Sequence, residues 1–149
     1  MNPAKADAQE LLNALLPFAK EMLEQHREFY PFGGRMVPDG TIAHFGATID
    51  GTEHPPSQPL IQLFQGAFRD EARTNHLRTC GILYDVRIVP PRRTEKQDAI
   101  AAALDHVSGY SVVVHFPYRF DESGQLHVES PFAIEGEYSI FGRPEASTP

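Results

Sequence analysis

Asp98-Ala99-Ile100-Ala101-Ala102-Ala103-Leu104-Asp105-His106-Val107-Ser108-Gly109-Tyr110-Ser111-Val112-Val113-Val114-His115-Phe116 is the stretch on which the fold turns. By propensity, Ala99 to Leu104 reads as a short helix. Hairpin closure gives the opposite reading. Val107-Ser108-Gly109 suits a three-residue loop, in which a type I turn is followed by a glycine at positive φ. That closure sets Ile100 opposite Phe116, Ala102 opposite Val114 and Leu104 opposite Val112. The other face then pairs Asp105 with Ser111, Ala103 with Val113 and Ala101 with His115. A two-residue loop would mix the sets, placing Ala102 against His115 and Asp105 against Val112. Only the three-residue loop leaves one face wholly apolar, because a single slip exchanges inside for outside. The register therefore favours a strand over 98–106.

The same device recurs on both sides. Glu122-Ser123-Gly124 closes a hairpin that sets Phe120 opposite Leu126, Tyr118 opposite Val128 and Phe116 opposite Ser130. These are the even positions of the shared strand that the first pairing turned inward. Pro38-Asp39-Gly40 joins two further strands, about 32–37 and 41–49. Ahead of them, Leu11, Leu12, Leu15, Leu16, Ala19, Met22 and Leu23 form a helical stripe within residues 5–28. Pro17 interrupts it and predicts a kink or two abutting helices. A second helix is expected from Gln58 to about His76, with Ser57 as N-cap and Pro59 in its first turn. Cys80, Ile82, Tyr84, Val86 and Ile88 alternate as a strand that Pro90-Pro91 ends. After Pro131, the residues Phe132, Ile134, Tyr138 and Ile140 continue an even-numbered apolar face, with Gly136 as a bulge.

The order of elements is thus helix, hairpin, helix and a meander. It predicts an α+β domain over residues 1–142, with two helices packed on one face of a mostly antiparallel sheet of six or seven strands. Residues 143–149 read as a disordered tail. At 149 residues the chain is long enough for one self-sufficient core. Its single cysteine, Cys80, cannot form an internal bridge, and the start of the chain has no basic segment followed by an apolar run. Both features predict a cytoplasmic setting. No stretch approaches the roughly 20 apolar residues of a membrane span. A formal charge of −7 works against binding to nucleic acid. Arg92, Arg93 and Lys96, with Glu95 among them, read as a solvated loop.

Seven histidines are the first chemical candidates: His26, His44, His54, His76, His106, His115 and His127. His26 and His76 fall near helix C-termini, where a cation favours the dipole. The pairing scheme puts Arg119 opposite His127 and Pro117 opposite Glu129, with His115 further along the same strand. His115, Arg119, His127 and Glu129 are therefore the candidate ligand-binding group. An arginine with two histidines suits a carboxylate or phosphate, and a glutamate can orient an imidazole. The plain alternative is the wet face of a half-buried sheet. Asp50, Glu53 and His54, with His44 nearby, could in principle hold a divalent metal, although a surface loop is the simpler reading. Asp85 and Arg87 share a strand face and suggest an exposed ion pair. Cys80, turned inward, is expected to be inert. There is no Gly-x-Ser-x-Gly elbow, no phosphate loop and no metal-ligand spacing, so neither metal nor cofactor is expected.

Leu16-Pro17-Phe18-Ala19-Lys20-Glu21-Met22-Leu23, Phe29-Tyr30-Pro31-Phe32-Gly33, Asp98-Ala99-Ile100 and Phe116-Pro117-Tyr118 together resemble a group of small uncharacterised bacterial proteins. Members share a Pro-Phe-Ala helix and a Phe-x-Pro-Phe-Gly turn. The resemblance spans about residues 15–120 and implies a bacterial, cytoplasmic single-domain protein with a strand at 98–106. It brings no activity, cofactor or catalytic residue. The first functional expectation is a non-catalytic protein-binding module of immunity or regulatory type, with an unidentified protein partner. The second is a small-ligand binder or enzyme using the His/Arg/Glu group. The third is self-association through the sheet, as a homodimer.

Overall fold

The computed structural model describes residues 3–45 and 57–143. Its elements are α1 (Pro3–His26), β1 (Phe32–Met36), β2 (Ile42–Phe45), α2 (Ser57–Arg73), β3 (Thr79–Ile88), β4 (Gln97–His106), β5 (Ser111–Phe120), β6 (Leu126–Val128) and β7 (Phe132–Glu135). The strands form one seven-stranded sheet in the order β2-β1-β3-β4-β5-β6, with β7 also on β5. Every pairing is antiparallel. β6 and β7 share the outer edge of β5: β6 takes residues 118–120 and β7 takes 112–115. The fold is α+β, with two helices on a mostly antiparallel sheet.

The alanine-rich stretch is strand β4. All six pairs expected across the 107–109 loop occur, from Ile100 with Phe116 to Asp105 with Ser111. The next hairpin keeps Tyr118 with Val128 and Phe120 with Leu126. Three turns share one hydrogen-bond pattern. Gly40, Gly109 and Gly124 have φ of 94°, 98° and 86°. Each donates its N–H three residues back, to Val37, His106 and Asp121 at 2.8–2.9 Å. Helix propensity loses at β4 because Ala99, Ile100, Ala101 and Ala102 are wholly buried between ordered neighbours, where only a ladder satisfies their backbone groups.

The helices do not share one face, which corrects that part of the expectation. α1 packs Leu11, Leu12, Leu15, Ala19 and Leu23 against Leu83, Ile100, Ala102, Leu104, Phe116 and Tyr118. α2 packs Leu60, Ile61, Phe64 and Phe68 against Cys80 and Ile82, with Leu77 and Ile140. Two neighbouring glycines make the geometry plain: a Cβ on Gly33 would meet Phe68, whereas one on Gly34 would meet Leu15. The reason lies in β3, where Cys80 and Ile82 face one way and Leu83 the other. A strand that is apolar on both faces needs cover on both. α2, however, reaches only β1 and β3. The part of that face formed by β4, β5 and β7 has no helix above it.

Some boundaries also differ from expectation. α1 runs through Pro17 as one helix rather than two, and Arg27 at φ 62° ends it. α2 stops at Arg73, ahead of the expected His76, because the chain reverses at Asn75 with φ 61°. The expected strand over 41–49 is β2 as far as Phe45; its remainder, the 50–56 loop and residues 144–149 lie outside the described residues. β7 ends at Glu135, and the expected even-numbered face does not continue as strand beyond it: the chain turns at Tyr138, with φ 58°, and Ile140 joins the core under α2.

Candidate functional site

Across the face that α2 leaves open, the registers stack three rows of side chains. Cys80, Asp105 and Ser111 form the first; Ile82, Ala103, Val113 and Ile134 the second; Tyr84, Ala101, His115 and Phe132 the third. β4 contributes only methyl groups in the middle of rows two and three, while its neighbours contribute large side chains. A trough results. Gln58, Ile61 and Gln65 of α2 wall one side, and Glu135 to Ile140 wall the other, enclosing a cavity of about 440 Å³. Asp105 and His115 stand at its two ends, four strand residues or roughly 13 Å apart along the backbone.

His115 is 8% exposed, and its Nδ1 is buried without a hydrogen-bond partner. Its ring stacks on Phe132, with centroids 5.1 Å apart and planes 16° from parallel. Burial lowers its pKa, so the imidazole is neutral near pH 7. The other buried nitrogen without a partner among the described residues is Arg35 Nε, whose guanidinium is already held by Glu71 and lies 4.9 Å over Phe45. Asp105 is also 8% exposed; burial raises its pKa, against the opposing hydrogen bond with Ser111. Tyr84 is raised by burial and then by the charge of Glu137. Ser111 Oγ accepts the N–H of Tyr138 at 3.2 Å, and its carbonyl accepts the N–H of Gly136 at 3.0 Å. Any Cβ on Gly136 would overlap Ser111 and approach Val112 N at 2.9 Å, so this wall stands close to β5 only because residue 136 is glycine. Among the described residues no lysine or arginine lines the cavity.

No protein-family model, curated protein or solved structure matches this chain. The reading of the site therefore rests on its own geometry.

Of the four candidates read from the sequence, His115 lines the cavity, and Arg119, His127 and Glu129 do not. Arg119 does face His127 across β5 and β6. It shares the face of His115 but stands four residues, roughly 13 Å, along the strand. His127 Nε2 lies 2.7 Å from Asp121 Oδ2. Glu129 is bound by Arg93 at 3.0 Å and by Gln97, and the Arg93 contact holds its carboxyl below the usual range. These local partners already engage His127 and Glu129. Sequence reading overlooked Asp105 and Glu137 as site residues and did not join Tyr84 to His115. Asp105 was within reach, since the hairpin pairing put it beside Ser111 on the face of His115. Tyr84 needed knowledge that β3 pairs with β4.

The remaining candidates resolve separately. Asp50, Glu53 and His54 lie outside the described residues, and His44 is exposed on β2. Among the described residues no group of three or more His, Cys, Asp or Glu side chains could hold a metal ion. Asp85 does not pair with Arg87; it accepts the Tyr118 hydroxyl at 2.7 Å, while Arg87 lies 3.6 Å from Asp98. Burial raises the Cys80 thiol well above its usual pKa, as an inert core thiol requires.

A hydrogen-bonded series with no local signature in the sequence joins Asp7, His106 and Ser108. His106 Nε2 lies 2.8 Å from Asp7 Oδ2, and Nδ1 lies 2.9 Å from Ser108 Oγ. Burial works to raise the Asp7 pKa, but hydrogen bonds from His106 and Arg78 outweigh it and hold it below the usual range. The sequence of groups is that of a serine hydrolase, but the amides are spent. The Ser108 N–H bonds His106 Nδ1 at 3.0 Å and the Gly109 N–H bonds the His106 carbonyl at 2.9 Å. Neither is left to stabilise an oxyanion. The series is a clamp that fastens the β4–β5 turn to α1.

Proposed function

We propose that this protein binds a small molecule in the trough between α2 and β7, with His115 as the anchoring hydrogen-bond group. The observation that carries this reading is a cavity of about 440 Å³ lined by His115, a nine-tenths buried imidazole whose ring has no hydrogen-bond partner among the described residues. An unsatisfied buried polar atom costs about 1–3 kcal/mol. A ligand can hydrogen-bond the edge of the ring that lines the cavity, and the cavity volume falls within the usual range for small-molecule sites. Burial keeps the imidazole neutral, which suits hydrogen bonding and does not suit a permanent ion pair. A cytoplasmic setting belongs to the same reading; among the described residues no helix is long and apolar enough to cross a membrane.

His115→Phe is the test. Phenylalanine preserves the ring stack on Phe132 and removes the nitrogen. We expect a fragment library read by ligand-observed NMR to give hits whose binding shifts the His115 ring protons, and His115→Phe to abolish them. Hits that leave those protons unmoved would sink the proposal.

A protein-binding module is the second reading, favoured by a different observation. Phe18 and Tyr30 are 42% and 37% exposed. With Met22, Phe29, Pro31 and Phe32 they line an apolar groove of about 400 Å³. A protein partner or a second copy of the chain would cover such a surface. Light scattering over a range of concentrations, with Phe18→Ser as control, tests the homodimer.

A further inference from the structure

We infer that the ligand of the His115 trough is a small organic cation, an ammonium compound with a short apolar body; this rests on the trough being the binding site. Among the described residues three carboxylates line the cavity, Asp105, Glu135 and Glu137, and no lysine or arginine does. Glu135 is partly satisfied, by the Tyr138 hydroxyl at 2.7 Å and Arg143 at 3.5 Å. Asp105 and Glu137 have no cationic partner among the described residues. Asp105 bears the greater penalty, because it is 8% exposed and its neighbour Ser111 is neutral. A carboxylate buried beside a neutral partner gains most from an arriving cation, whereas an anion would meet repulsion from Asp105 and from Glu135 and Glu137 on the wall that begins at the end of β7.

His115 supplies the independent observation. It is nine-tenths buried, it lines the same cavity from the far end, and its Nδ1 lacks a partner. Between the two ends lie Ile82, Val113 and Ile134, which ask for an apolar body rather than a bare ion. The roughly 13 Å between the end residues also keeps one metal ion from reaching both. The complementary ligand places an ammonium on Asp105 and a hydroxyl or amide proton on the edge of the His115 ring that lines the cavity.

Three probes that share the hydroxyphenyl body separate charge from shape: tyramine, its neutral alcohol tyrosol and, one atom longer, the carboxylate 3-(4-hydroxyphenyl)propionate. Calorimetry and chemical-shift titration of the full chain should find tyramine at least tenfold tighter than tyrosol, with the propionate not binding. Asp105→Asn should weaken tyramine about tenfold and leave tyrosol nearly unchanged. The exposed Glu137→Gln, which carries little folding risk, should weaken tyramine several-fold. If tyrosol or the propionate binds as tightly as tyramine and His115→Phe abolishes that binding, the charge inference falls and the trough remains the site. If none of the three binds at millimolar concentration, both fall.

Discussion

His115 and Asp85 show how single side chains in this sheet trade stability for something else. His115→Phe removes an unsatisfied buried nitrogen while keeping the stack on Phe132. We expect thermal denaturation of the unliganded protein to show a Tm equal to or above that of the parent, since such a nitrogen costs about 1–3 kcal/mol. A clear loss of stability would mean that the imidazole is a structural group. Asp85 behaves differently. Burial pushes its pKa to about 6 from 3.8, against the hydrogen bond from Tyr118 and with help from the charges of Asp98 and Glu28. A carboxyl easier to protonate folded than unfolded contributes stability that is full below about 3.8 and is lost as the pH rises through about 6. Asp85→Asn keeps an oxygen for Tyr118 and removes the titration. Urea unfolding should find the variant more stable than the parent at pH 7.5, with the gap closing toward pH 4. Gly136→Ala has the opposite sense. Its methyl would overlap Ser111, and we expect about 1–3 kcal/mol of destabilisation with loss of the cavity wall.

Turns and helix ends decide the elements. At Gly40 a Cβ would meet nothing within 4 Å, so the site isolates the backbone requirement from packing. Gly40→Ala should cost about 1–2 kcal/mol by urea unfolding, the penalty for a side chain at positive φ. The hydrogen-bond pattern repeated at Gly109 and Gly124 explains why loop length alone recovered two strand registers from the sequence. The hydrogen-bonded series of Asp7, His106 and Ser108 acts at the same scale, holding the β4–β5 turn against α1. Arg78 adds two hydrogen bonds to Asp7 at 2.8 and 2.9 Å, joining the start of β3 to the same clamp. Nothing in the local sequence around Asp7 announces that role. The partners lie about 70 and 100 residues away, and a contact of that span leaves no periodic trace.

For the molecule as a whole, the governing fact is unequal cover. α1 spans the sheet on one side, and α2 covers only β1 and β3 on the other. The trough is what remains, deepened by Ala103 where a larger residue would fill it. Ala103→Leu should therefore abolish tyramine or fragment binding, read by calorimetry, while leaving the urea midpoint unchanged or higher. Loss of binding accompanied by a large fall in stability would place Ala103 in the core and not in a site.

Much of this protein was legible in its residues. The Gly-terminated loops and the alternation of Ile100, Ala102 and Leu104 with Phe116, Val114 and Val112 were enough to fix strand identity, neighbours and register, because those are local constraints with period two. His115 was marked by the same pairing. Its grouping with Arg119, His127 and Glu129 was not decided by residue spacing. Strand rise separates Arg119 from it, and Asp121, Arg93 and Gln97 engage the other two. The side of the sheet each helix covers, and so where the uncovered hollow lies, depends on how far α2 extends across β1 and β3. That is a matter of packing between segments distant in the chain. Only the folded arrangement sets it, since an amphipathic stripe names the face a helix buries and not the surface it is buried against.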